Sequence, residues 1–117
     1  MTREFVRLTE FDKQCKQLGF NESDIAKIES ELIVDPTKGS VISSGTGGIR
    51  KLRIQLPNRG KSGGARVIYI DFVVFEKVYL LTAYGKGKKD DLTSNEKNEL
   101  KAIVKLLEDE LRRRGGK

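Results

Sequence analysis

Histidine is absent from this 117-residue chain, and cysteine occurs once, at Cys15. The first absence removes the commonest general acid–base group together with the commonest metal ligand. The second excludes an intrachain disulfide and a zinc site built from cysteines. Tryptophan is missing too, and five Phe and three Tyr are few for an open platform on which single strands stack. No apolar run approaches the roughly 20 residues a membrane span requires. The amino-terminal MTREFVRLTEF sets charges among its apolar residues and so lacks the apolar centre of a signal peptide. The expectation is a cytoplasmic protein with no membrane partner, no cofactor and no metal. Its length suits one domain over residues 1–117 with a modest core.

Acidic residues are missing where they would matter most. Between Pro36 and Ile70 there are seven basic residues (Lys38, Arg50, Lys51, Arg53, Arg59, Lys61, Arg66) and no Asp or Glu. That stretch carries +7 of a net charge of +6, so the rest of the chain is net −1. A positive surface of this kind fits a polyanion; a solvated face kept for solubility is the plainer alternative. The stretch is not an amphipathic helix, which argues against attachment to a membrane surface.

Hydrophobic periodicity gives the outline of the fold. Residues 3–8 alternate weakly, as a short strand would. Thr9 and Asp12 suit a helix start, and Phe11, Cys15 and Leu18 fall on one helical face that Gly19 ends. Asn21 or Ser23 opens a second helix with a stripe of Ile25, Ile28 and Leu32, closed by Asp35-Pro36. In the segment Ile49–Leu56 the period changes. Leu52, Ile54 and Leu56 point one way, and Lys51, Arg53 and Gln55 the other: a half-buried strand with a basic exposed face. PNRGKSGG reads as a turn or loop. Arg66–Phe75 and Val78–Tyr84, joined at Glu76-Lys77, form a hairpin. Thr93 and Glu96 make a capping box for a last helix whose apolar face is Leu100, Ile103, Leu107 and Leu111, with a frayed basic tail at 112–117. The class is α+β: a mostly antiparallel sheet of about four strands, an N-terminal helical hairpin and a C-terminal helix.

Several motifs fail on context. GKS at Gly60–Ser62 is not a phosphate loop, because Gln55 stands where a glycine is needed and a strand follows. Gly45-Thr46-Gly47-Gly48 has the letters of a GxxG clamp but leads into a strand, where a glycine turn is the better reading. Cys15 belongs to an apolar stripe and reads as a buried small hydrophobe. Asp90-Asp91 belongs to the start of the last helix rather than to a metal site.

Three blocks in order, GTGGIRKLRIQ, GKSGGARVIYI and LLTAYGKGKKDDLT followed by a helix, resemble the HigB-type branch of the RelE superfamily of toxins. The resemblance spans roughly residues 30–107 and agrees with the helical hairpin ahead of the sheet. It implies a ribosome-dependent mRNA endonuclease that inhibits translation and is held inactive by a small antitoxin encoded beside it. In that family the substrate's 2′-hydroxyl attacks the adjacent phosphate, so the reaction is metal-independent and leaves a cyclic phosphate. The family's basic strand pair corresponds to Lys51 and Arg53, its strand-opening arginine to Arg66, and its YGK step to Tyr84 and Lys86. Some members carry a histidine in the site, and others a basic residue and a tyrosine after the GK step. This chain has no histidine, and Gly87 and Leu92 stand at those positions, so the general acid is unassigned.

The chemistry of the residues agrees with that carry-over. Cleavage needs a base for the 2′-hydroxyl, cations for the phosphorane charge, and an acid for the leaving oxygen. The arginine fork suits phosphate oxygens, which makes Arg53 and Arg66 electrostatic stabilisers. Lys51, crowded in sequence by Arg50 and Arg53, is the candidate base. Tyr84 orients or stacks a nucleotide, donates a proton, or simply packs on the core. Lys86 lies beside it, while Arg50, Arg59, Lys61 and Lys88 are candidate contacts to RNA or ribosome, with a solvated turn the alternative for Lys86 and Lys88. Lys51 and Arg66 are expected to lie outside the packed core. The rival function is a non-catalytic module that blocks translation by occupying RNA or ribosome.

Overall fold

The structure is a computed structural model that describes residues 3–42, 48–55, 64–87 and 91–115. Strand β1 (Glu4–Arg7) runs directly into helix α1 (Thr9–Leu18), which is followed by α2 (Glu22–Val34). Strands β2 (Ser40–Val41), β3 (Arg50–Ile54), β4 (Ala65–Phe72) and β5 (Lys77–Gly85) come next, and α3 (Ser94–Gly115) closes the chain. The five strands make one sheet in the order β1-β5-β4-β3-β2. β1 is parallel to β5, and the remaining pairs are antiparallel. The sheet is therefore mixed and one strand wider than the sequence indicated. Two-residue β2 carries too little pattern to be read in advance.

Each helix is stopped or started by identifiable groups. Gly19 adopts φ 82°, and the N–H groups of Gly19 and Phe20 donate to the carbonyls of Lys16 and Cys15. Asn21 and Asp24 form a reciprocal capping box at 2.8 and 2.9 Å. Thr9 does not cap α1; the cap position is Leu8, with no side-chain cap, and its N–H bonds to the Leu80 carbonyl at 3.1 Å. The chain thus leaves the sheet and turns helical without an intervening loop. Thr93 and Glu96 cap α3 reciprocally at 2.8 and 3.1 Å, as the sequence led one to expect.

The sheet has a core on each side. On one, Phe11, Cys15, Ile25, Ile28 and Leu32 of the helical hairpin meet Leu52, Val67, Tyr69 and Leu80. On the other, Leu100, Val104 and Leu111 of α3 meet Ile49, Ile68, Ile70, Tyr79 and Leu81. Burying each such aliphatic side chain contributes about 1.5–3 kcal/mol. The α3 stripe corrects one assignment: Val104 is buried, while Ile103 is 37% exposed. A second correction concerns the tail. α3 continues to Gly115, and Arg112, Arg113 and Arg114 pair with Glu108 and Glu110 one turn back.

Candidate nucleic-acid interface

Alternation along β3 sends Leu52 and Ile54 to the helical hairpin and Lys51 and Arg53 to the α3 side. On β4 the same alternation places Arg66, between Ala65 and Val67, on the α3 side. In the ladders Arg53 is the direct partner of Arg66, and Arg66 of Tyr84. The three side chains form one row across β3, β4 and β5, and Lys51 stands in the neighbouring row. This row marks the end of the sheet where β3 finishes, β4 begins and β5 finishes.

Tyr84 joins the row because of a bulge. The β4–β5 register shifts between Ile68, opposite Thr82, and Tyr69, opposite Leu80, so Leu81 is the extra residue. Tyr79 and Leu81 face α3; strict alternation from them would turn Ala83 to α3 and Tyr84 away. After the bulge Ala83 packs on the hairpin core and Tyr84 on the α3 core beside Leu92 and Leu100. Bulges re-aim side chains in this way beside functional sites.

Arg53 is exposed, whereas Arg66 is only 9% exposed and donates from Nη1 to the Ala65 carbonyl at 3.3 Å. Arg66 is thus part of the packed interior, contrary to the expectation for a residue at a strand start. The side chain is packed against the sheet, and its Nη1 is engaged by the Ala65 carbonyl in a buried bond. Two cations at directly opposed positions repel, and a phosphate set between their forks relieves that repulsion.

Lys51 is half-buried and faces Asp91, with Nζ 3.5 Å from Oδ1. Asp91 also receives the Leu92 N–H at 2.8 Å and lies 3.8 Å from Lys97 Nζ. The Leu92 N–H first, then Lys51 and Lys97, hold its carboxyl below the usual carboxylate range. In the sequence Asp91 reads only as part of the entry to the last helix, and Lys97 is not singled out. Nothing in their spacing from Lys51, 40 positions away in the case of Asp91, signals the contact.

Arg50 does not join the group. It lies on the opposite face, where its Nη1 donates to the carbonyls of Gly39 at 2.6 Å and Thr37 at 3.2 Å. Tyr69, its ladder partner, donates to the Pro36 carbonyl at 2.7 Å and accepts from Gly39 N–H at 3.0 Å. Arg50 is therefore a clamp on the loop before β2, and the crowding of Lys51 by Arg50 in sequence does not occur in space. Lys86 is exposed at the end of β5, where its N–H reaches the Gly64 carbonyl at 3.2 Å. Arg59, Lys61 and Lys88 lie outside the described residues, as do Leu56 and most of the PNRGKSGG segment. On the far side of Tyr84 a groove of about 650 Å³ runs between α1 and α3, with Glu10, Glu96 and Glu99 among its lining. Those carboxylates make the groove an unfavourable place for a phosphate. Among the described residues no cluster of three or more His, Cys, Asp or Glu could hold a metal ion.

The profile of the family described as the RelE toxin of the RelE/RelB toxin–antitoxin system matches residues 5–113. The chain belongs to the RelE toxin family. It is a toxin of a toxin–antitoxin system, and an antitoxin partner follows from that membership. The solved structure of an arginine double mutant of the Escherichia coli toxin RelE in the free state has a similar fold, with a TM-score of 0.54 at 12% identity. The similarity covers 77% of this chain and 90% of that one. No helix among the described residues of this RelE-family toxin is long and apolar enough to cross a membrane.

Proposed function

We propose that this RelE-family toxin is a metal-independent endoribonuclease that cuts mRNA in the ribosomal A site, in the cytoplasm, until its antitoxin neutralises it. The observation that carries the reading is the Arg53–Arg66–Tyr84 row with Lys51 beside it. Arg53 and Arg66 hold the non-bridging oxygens of the scissile phosphate and meet the charge that builds up in the phosphorane. Lys51 takes the proton of the 2′-hydroxyl as its oxygen bonds to phosphorus. The bond from phosphorus to the 5′-oxygen breaks, and that oxygen must be protonated. A ribosomal group is the acid, or Tyr84 once binding uncovers its hydroxyl, which is buried in the free chain. The products are a 2′,3′-cyclic phosphate and a 5′-hydroxyl. A small protein without histidine can work this way because the ribosome positions the message for it.

One observation favours a second reading, occupancy without cleavage: Asp91 pairs with the lysine assigned to proton abstraction. Programmed ribosomes carrying an mRNA with a single 2′-deoxy at the cut site separate the two. Cleavage of the ribose message and none of the deoxy message is the expected result. Cleavage of both rules out attack by the 2′-hydroxyl. Arrest of translation with no cuts in either message makes occupancy the function.

A further inference from the structure

We infer that Lys97 of α3 is a further phosphate ligand for RNA, and that Asp91 is an internal anion that keeps its seat beside Lys51 until a phosphate displaces it. The inference rests on the RNA-binding reading of the row above.

One carboxylate lies between two ammonium groups on different elements, 3.5 Å from Lys51 of β3 and 3.8 Å from Lys97 of α3. A phosphate offers the same arrangement, two or more anionic oxygens on one centre. Both contacts are long for ion pairs, and the Asp91 side chain is 51% exposed. Such pairs add little to stability, so an incoming anion can replace this one at small cost. Asp91 loses nothing essential on release, because its tightest bond is the local one from Leu92 N–H at 2.8 Å.

The position of Lys97 points the same way. It lies in the first turn of a 22-residue helix, where the macrodipole disfavours a cation and favours an acid. Local helix energetics therefore do not account for a lysine there. An anion does: Asp91 fills that place in the free chain, and a phosphate would take it over on Lys97. The seat lies one row from Arg53, so a chain whose scissile phosphate rests on Arg53 and Arg66 would carry a neighbouring phosphate toward it. RNA would then lie across β3 and reach the start of α3, away from the acidic groove.

The test uses the full chain and a fluorescent 2′-O-methyl oligoribonucleotide, which keeps its phosphates but cannot be cut, titrated over a range of salt. Lys97→Gln is expected to weaken binding severalfold and to reduce the slope of log K against log salt by about 0.7, one phosphate contact on a single strand. Lys97→Arg should restore both. Asp91→Asn keeps an oxygen for Leu92 N–H and removes the competing charge, so it should tighten binding. Wild-type affinity and slope for Lys97→Gln would overturn the inference, and so would a lowered melting temperature without a change in slope. Unchanged or weaker binding by Asp91→Asn would remove the stand-in role. Lys51→Gln and Arg66→Gln in the same series tell the two failures apart. If they weaken binding and Lys97→Gln does not, only the seat fails; if none of the three matters, the RNA site itself is wrong.

Discussion

In the proposed mechanism Arg66 would serve packing and chemistry together. Its side chain is largely buried and its Nη1 is bonded to the Ala65 carbonyl, so little of it has to be ordered on binding. Arg66→Lys keeps the charge and much of the stem but loses the planar pair of donors. Single-turnover cleavage by that variant should fall on the order of a hundredfold, about 3 kcal/mol of transition-state stabilisation, with thermal unfolding close to wild type. Retention of the wild-type rate would mean that charge alone suffices at this position. Lys51→Ala should also abolish cleavage while the fold survives, since Lys51 lies outside both apolar cores. Lys38, at the surface and paired with Glu31, should affect association only modestly when changed to alanine.

Cys15 gives a second test at this scale. Burial, then the nearby Asp12, push its thiol from 9.0 up to about 12. A thiol protonated at neutral pH is a poor nucleophile. Iodoacetamide at pH 8 should leave Cys15 intact in the folded chain and label it fully in guanidinium. Because the folded value is raised, this contribution to stability is complete below about pH 9 and is lost as pH climbs toward 12. Rapid labelling of the native protein would show that the hairpin core opens readily.

Among the elements, the helices could be read and the sheet only in part. The stripe Phe11, Cys15, Leu18 and the stripe Ile25, Ile28, Leu32 are local patterns, and local caps bound them. The last helix was placed correctly by Thr93 and Glu96, but Ile103 and Val104 are adjacent apolar residues, and only the packing against Ile68 and Ile70 selects Val104. β-Structure depends on partners distant in sequence. The parallel pairing of β1 with β5 and the bulge at Leu81 leave no local signature. For the same reason Arg53, Arg66 and Tyr84 could each be named from sequence, while their alignment in one row could not. Gly39 tests how tightly the loop before β2 controls the site. A β-carbon there would lie 2.9 Å from the Lys51 carbonyl and 2.9 Å from the Tyr69 ring. Gly39→Ala should cost about 1–3 kcal/mol in urea unfolding and lower cleavage as well, because β3 must shift. Unchanged stability would mean that the clamp of Arg50 and Tyr69 yields freely.

At the scale of the whole molecule, charge is segregated along the chain and the fold turns that segregation into a surface. The stretch from Pro36 to Ile70 holds +7 with no acid, and β3 and the start of β4 present part of it beside the row. Among the described residues, Asp91 faces Lys51 and Glu31 faces Lys38, both carboxylates supplied from outside that stretch. A surface left so positive attracts any acidic partner, and complementary charge raises both the rate and the selectivity of encounter. The antitoxin of this RelE-family toxin should therefore bring carboxylates to Arg53, Lys51 and Lys97 and exclude RNA by competition. Co-expression with the neighbouring small reading frame is expected to relieve growth arrest and yield a complex that survives purification. Charge reversal at Arg53, the exposed member of the row, should weaken that complex and flatten its dependence on salt. If Arg53→Glu binds the antitoxin as wild type does, neutralisation acts from another face. If neither flanking frame rescues growth and nothing co-purifies, the partner is encoded elsewhere and the expectation of an adjacent antitoxin is wrong.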